Sequence, residues 1–151
     1  MVQALMCDVR FAAAGAKFTT AFARRGLIAE YGMSWLLPRL VGTANALDVL
    51  LSGRVFLAEE AHQMGMVNGV VPGDQLLAHA VAYASDLAAY VSPTSMKVMK
   101  QQVYADTTQA ITESEQRALV LMKESLTRAD FKEGVASFME KRPPQFAPVT
   151  R

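Results

Sequence analysis

The sequence predicts an α/β protein in which a few short strands come first and a helical region follows. Three observations carry this. Extended runs are short and all lie before Pro72. From Leu76 onward apolar side chains recur at helical spacing. The composition, 52% apolar and 19% charged over 151 residues, is that of an ordinary folded chain able to bury a core. Two or three short strands do not make a self-sufficient sheet covered on both faces, so the pattern predicts part of a larger α/β fold.

Along the chain, residues 2–6 read as helical and 9–12 as a short strand. Ala14 and Gly15 form a turn before a second extended piece, Lys17 to Thr19. Gly26 to Gly32 is a loop, and Ser34 opens a helical turn or two stopped around Pro38. A helix follows from Thr43, its N-cap, with Ala44, Leu47, Leu50 and Leu51 as its apolar set and Gly53 ending it. Ala58 to Met64 is a short helix ended at Gly65, and Met66 to Val71 is the last strand, closed by Pro72 and Gly73.

Residues 75–90 then form an amphipathic helix. Ser92 and Pro93 place a capping hydroxyl ahead of a proline at the first helical position, launching a helix to about Tyr104. One more helix runs from about Thr108 to Leu126. The last starts near Asp130, whose spacing to Glu133 suits a capping box, and buries Phe131, Val135 and Phe138.

Charge and cysteine usage exclude several function classes. With 15 basic and 14 acidic side chains the formal net charge is +1, which provides no general field for nucleic acid or an anionic membrane. The single cysteine, Cys7, excludes an internal disulfide and reads as a small buried side chain. His62 and His79 stand too far apart for zinc spacing. The N-terminal residues show neither the basic and apolar regions of a secretory signal nor an arginine-rich presequence, and no apolar run approaches the ~20 residues of a membrane span. The expectation is a cytoplasmic protein that binds neither membrane nor nucleic acid.

Six blocks then stand in a telling order: Cys7-Asp-Val-Arg-Phe-Ala-Ala-Ala-Gly-Ala-Lys-Phe-Thr, Gly26-Leu-Ile, Leu37-Pro-Arg-Leu-Val-Gly, Leu50-Leu-Ser-Gly-Arg, Ala58-Glu-Glu-Ala-His-Gln-Met-Gly-Met-Val-Asn and Phe138-Met-Glu-Lys-Arg-Pro-Pro-Gln-Phe. Together they resemble successive blocks of the enoyl-CoA hydratase/isomerase (crotonase) family over nearly the whole chain. The resemblance implies the C-terminal part of a crotonase (ClpP/crotonase-like) fold. Residues 1–72 would be the end of its core, and residues 73–151 a helical region making coenzyme A and oligomer contacts. It implies an acyl-CoA substrate, no cofactor beyond the coenzyme A that the substrate carries, and a homotrimer or hexamer for the full-length protein.

The family stabilises a thioester enolate with two backbone N–H groups, one from an early loop and one from a glycine-rich turn. The resemblance places that turn just ahead of Met1, so the chain is expected to open inside the helix that follows it. Losing one such donor typically costs about 10²- to 10³-fold in rate.

Hydratases of the family use two glutamates, and the positions matching them are Val2 and Phe22, neither of which transfers a proton. The peroxisomal-type Δ3,Δ2-enoyl-CoA isomerases carry their acid/base carboxylate where Glu30 stands, and a phenylalanine where Phe22 stands. The resemblance therefore implies an isomerase-like site with Glu30 as general acid/base. Moving a double bond along an acyl thioester needs one base that removes a proton and returns it at the other end. An apolar lining from Phe22, Tyr31 and Trp35 would exclude water and strengthen that base. Lys141 and Arg142 could meet the phosphates or adenine end of coenzyme A. The alternative is a catalytically silent fragment that retains subunit-interface or CoA-binding capacity. Arg24 and Arg25 read as a solvated pair, and His62 and His79 lack partners at useful spacing for catalysis.

Overall fold

The computed structural model describes residues 1–149, which divide into two compact units, residues 1–80 and residues 81–149. In the first unit the elements are α1 (Val2–Leu5), β1 (Phe11–Ala13), β2 (Lys17–Phe18), a 3-10 turn (Ala23–Arg25), α2 (Met33–Ser52), β3 (Phe56–Leu57), α3 (Ala58–Gln63) and β4 (Gly69–Val71). A second 3-10 turn, Gly73–Gln75, leads into α4 (Leu76–Tyr90), which runs on into the second unit. There it is followed by α5 (Pro93–Asp106), α6 (Ile111–Thr127) and α7 (Ala129–Glu140). No helix among the described residues is long and apolar enough to cross a membrane, and none of their His, Cys, Asp and Glu side chains gather as a metal-holding group.

The strands pair in twos. β1 and β4 are parallel, with Phe11, Ala12 and Ala13 opposite Gly69, Val70 and Val71, while β2 and β3 are antiparallel, with Phe18 opposite Phe56. A parallel pair needs a long crossover, which α2 and α3 supply. The rings of Phe18 and Phe56 stack at 5.7 Å, a cross-strand pair that holds the short ribbon in register.

The core of Met1–Ala80 is built on α2. Met33, Leu37 and Val41 recur every four residues on one face and are buried, joined by Ala46 and Val49 further along and by Leu5, Phe56 and Met66. Pro38 does not stop this helix, contrary to the sequence expectation. Its missing N–H removes only the bond to the Ser34 carbonyl, and burial of Leu37 and Val41 on either side offsets that loss. The helix breaks instead at Gly42, whose φ of 76° and ψ of 160° lie where only glycine is at ease. The side-chain amide of Asn45 then donates to the Val41 carbonyl at 2.9 Å across the break.

The break also resets the buried face of α2. Ala46 and Val49 point inward, whereas Leu47 and Leu51 of the expected apolar set are exposed. Gly53 closes the helix in the left-handed region, as its position predicts. The last strand is shorter than expected because Gly65 turns the chain so that the Met66 N–H bonds the Ala61 carbonyl at 2.8 Å. That sends Met66 and Val67 into the core before pairing begins. Cys7 is exposed rather than buried: α1 buries Leu5 alone, and Cys7 falls in the turn after it, its Sγ 3.6 Å from the Gln3 carbonyl.

In the second unit the cap before α5 forms as predicted, with the Ser92 hydroxyl accepting from the Ser95 N–H at 3.0 Å ahead of Pro93. The capping box expected at Asp130 and Glu133 does not form. Asp130 accepts from the Ser92 hydroxyl instead, and Glu133 is held by Arg142. Phe131, Val135 and Phe138 are exposed, not buried, because they line an open concavity of about 480 Å³ together with Met139 and Phe146. Among the described residues from Val81 onward, only Ser92 and Ser137 are fully buried.

Candidate functional site

The Glu30 segment is built by short-range hydrogen bonds. The Phe22 carbonyl accepts from the N–H groups of Arg25 and Leu27, both at 2.9 Å, and Gly26 turns with φ 70°. Phe22 and Ala29 lie half-buried against the core, so the segment between them is tied down at both ends, while Leu27 and Ile28 are exposed. The Glu30 carbonyl accepts from Met33 N–H at 3.0 Å, which joins the loop to the first turn of α2. Tyr31, with φ 54°, and Gly32, with φ 74°, are consecutive left-handed residues at this entry. Tyr31 holds that conformation without glycine's freedom, a strained position of the kind found at functional loops.

Phe22, Glu30, Tyr31 and Trp35 thus follow one another along the chain from the 3-10 turn to the first turn of α2, with Glu30 half-buried. Tyr31 is 71% exposed and Trp35 48% exposed, so these two rings do not close over the carboxylate within this chain. Trp35 carries the Arg39 guanidinium over its ring at 4.0 Å, and Arg39 also donates to the Trp35 carbonyl.

Lys141 and Arg142 belong to the other unit. Lys141 takes the left-handed cap after α7 and is exposed. Arg142 donates to both carboxylate oxygens of Glu133, at 2.6 and 3.0 Å, and to Glu140 at 2.5 Å, which raises its pKa above the ordinary guanidinium value. Those bonds, followed by the Gln145 N–H, lower Glu133 to about 2. A second ion cluster lies in the first unit, where Arg54 bridges Asp48 and Glu60 and, chiefly by its hydrogen bond, holds Glu60 below the usual carboxylate range.

Arg24 has a role that its reading as half of a solvated pair did not foresee: its Nε donates to the Ser52 carbonyl at 2.8 Å. The legible signal was Gly53, which marks a helix end whose last carbonyls need donors. His62 faces the Val67 carbonyl at 3.1 Å, and the His79 ring meets Phe11 edge-on at 4.6 Å.

The family model for enoyl-CoA hydratase/isomerase matches residues 1–148. The chain belongs to the enoyl-CoA hydratase/isomerase family. It is 36% identical over 143 residues to the Mycobacterium bovis protein named "Probable enoyl-CoA hydratase echA8", a match covering 95% of this chain and 55% of that one. It is 37% identical over 144 residues to 1,2-epoxyphenylacetyl-CoA isomerase of Escherichia coli, covering 95% and 54%. A solved structure described as a probable enoyl-CoA hydratase/isomerase from Mycobacterium abscessus superposes with a TM-score of 0.94 at 32% identity, covering 99% of this chain and 61% of that one. The fold is crotonase-like, and the chain spans about half the length of the curated enoyl-CoA hydratase/isomerase relatives it matches.

Proposed function

We propose that this protein acts on acyl-CoA thioesters by proton transfer through an enolate, in the manner of an enoyl-CoA isomerase more than of a hydratase, with Glu30 as the general acid/base. The observation that carries the reading is the placement of Glu30. It is half-buried at a strained junction, fixed on one side by the Ala29 contact with the core and on the other by the first turn of α2. A carboxylate held this way can remove a proton from one carbon of an unsaturated acyl chain and return it two carbons along. The double bond moves and no electrons are consumed, so no cofactor enters beyond the coenzyme A of the substrate. Val2 and Phe22, where hydratases of the family have glutamates, leave no second proton carrier to activate water. Phe22 supplies an apolar wall beside the loop that carries Glu30.

The test is a coupled spectrophotometric assay of the chain with 3-enoyl-CoA and trans-2-enoyl-CoA, beside Glu30→Gln. Isomerisation of the 3-enoyl substrate that vanishes in Glu30→Gln sustains the reading, and hydration of the 2-enoyl substrate independent of Glu30 defeats it. One observation favours a second reading, a protein that binds acyl-CoA or a partner subunit without turnover: Tyr31 and Trp35 leave the carboxylate open to water. Binding of acyl-CoA with no turnover in the same assay selects that reading.

A further inference from the structure

The C-terminal end of α2 is held by one short stretch of chain. The hydroxyl of Thr20 donates to the Val49 carbonyl at 2.7 Å, that of Thr19 to the Gly53 carbonyl at 3.1 Å, and Arg24 Nε to the Ser52 carbonyl at 2.8 Å. Carbonyls at a helix end lack intrahelical partners and carry partial negative charge, so a guanidinium there satisfies both needs. The Arg24 side chain crosses directly over Gly53. A Cβ built on Gly53 would stand 3.0 Å from Arg24 Cγ and 3.4 Å from Cδ, and Gly53 has φ 53°. Glycine therefore serves both the backbone turn and the passage of the arginine.

Arg24 sits in the 3-10 turn whose backbone bonds run through to Leu27, three residues ahead of Glu30, and Glu30 is in turn bonded to the start of α2. The segment from Thr19 to Met33 is thus pinned to both ends of the same helix, by side chains at one end and by backbone at the other. Between these points Leu27 and Ile28 are exposed, and Ala29 packs against the core without a hydrogen bond of its own to hold the loop's register.

We propose that Arg24, crossing Gly53 to cap α2, is a positioning residue that fixes the loop carrying Glu30. This rests on the reading of Glu30 as acid/base. The physical reason is leverage. A reacting group displaced by 1 Å can cost about 10²-fold in rate, and the turn bearing Arg24 is the last hydrogen-bonded anchor before Glu30.

The test compares wild type, Arg24→Ala, Arg24→Lys and Gly53→Ala by amide hydrogen exchange and by 3-enoyl-CoA isomerisation. In Arg24→Ala and Gly53→Ala, exchange at Leu27 to Tyr31 should quicken about 10-fold or more while β1 and β4 keep their protection, the mark of local release. Their kcat should fall roughly 10- to 100-fold with KM little changed, Arg24→Lys should recover part of it, and added methylguanidinium should restore Arg24→Ala. Exchange that is unchanged at Leu27 to Tyr31, or that quickens equally in β1 and β4, overturns the proposal, as does a kcat in Arg24→Ala equal to wild type. If wild type itself turns over no 3-enoyl-CoA, the Glu30 reading fails, and the exchange comparison alone then decides whether Arg24 holds the loop.

Discussion

The guanidinium of Arg142 grips both oxygens of the Glu133 carboxylate, Nη1 to Oε1 at 2.6 Å and Nη2 to Oε2 at 3.0 Å, and the Gln145 N–H adds a third bond to Oε1 at 2.7 Å. The fork geometry joins the end of α7 and the segment after it to the helix's second turn. It also occupies the arginine that could otherwise meet a coenzyme phosphate, so phosphate binding there has to compete with Glu133 and Glu140.

This pair sets an acid dependence. Glu133 has a folded pKa of about 2, lowered from an unfolded value near 4.5. A depressed carboxylate contributes stability that is fully present above its unfolded pKa and is lost as pH falls from about 4.5 toward 2. Glu133→Gln should lower the stability of the chain at neutral pH and flatten its dependence on pH in that window, with no new slope at neutral pH. A carboxyl ¹³C titration of Glu133 with a midpoint near 4 would sink this prediction.

Gly42→Ala tests the break in α2. The new Cβ meets nothing within 4 Å, so any loss comes from the backbone conformation alone. A non-glycine residue forced into this region costs about 1–3 kcal/mol. Urea unfolding should show a lower midpoint with an unchanged slope. An unshifted midpoint would mean that α2 can straighten at this point without cost.

Leu37 and Phe138 make an opposed pair. Leu37 is fully buried and Leu37→Ala should cost about 2–5 kcal/mol, whereas Phe138 is 82% exposed and Phe138→Ala should stay within about 0.5 kcal/mol. Equal losses in thermal or urea unfolding would contradict the burial of one and the exposure of the other.

Ser92→Ala removes the cap of α5 and the donor to Asp130 together. The cap alone is worth about 1 kcal/mol, within a range of roughly 0.5–2. Circular dichroism through a thermal melt reads the loss, and Ser92→Thr, which keeps the hydroxyl, should recover most of it.

The sequence by itself determined whatever rests on neighbours in the chain. The Ser92 and Pro93 start of α5, the left-handed stop at Gly53, the turn at Ala14 and Gly15 and the run of helices after the last strand all follow from local backbone preference, which travels with the residue type. Family membership was legible for the related reason that six blocks keep their order and spacing. Only the tertiary structure decided which competing local signal prevailed. Pro38 reads as a stop, yet burial of Met33, Leu37 and Val41 carries α2 through it to Gly42. Asp130 and Glu133 read as a capping box, yet Ser92, 38 residues away, and Arg142, nine residues away, claim their carboxylates. Arg24 reads as solvated because its acceptor, the Ser52 carbonyl, is 28 residues distant and becomes a partner only when the chain folds. Spacing along the chain records what a residue prefers when its neighbours are alone, and contacts between distant residues change which preference has the lower free energy.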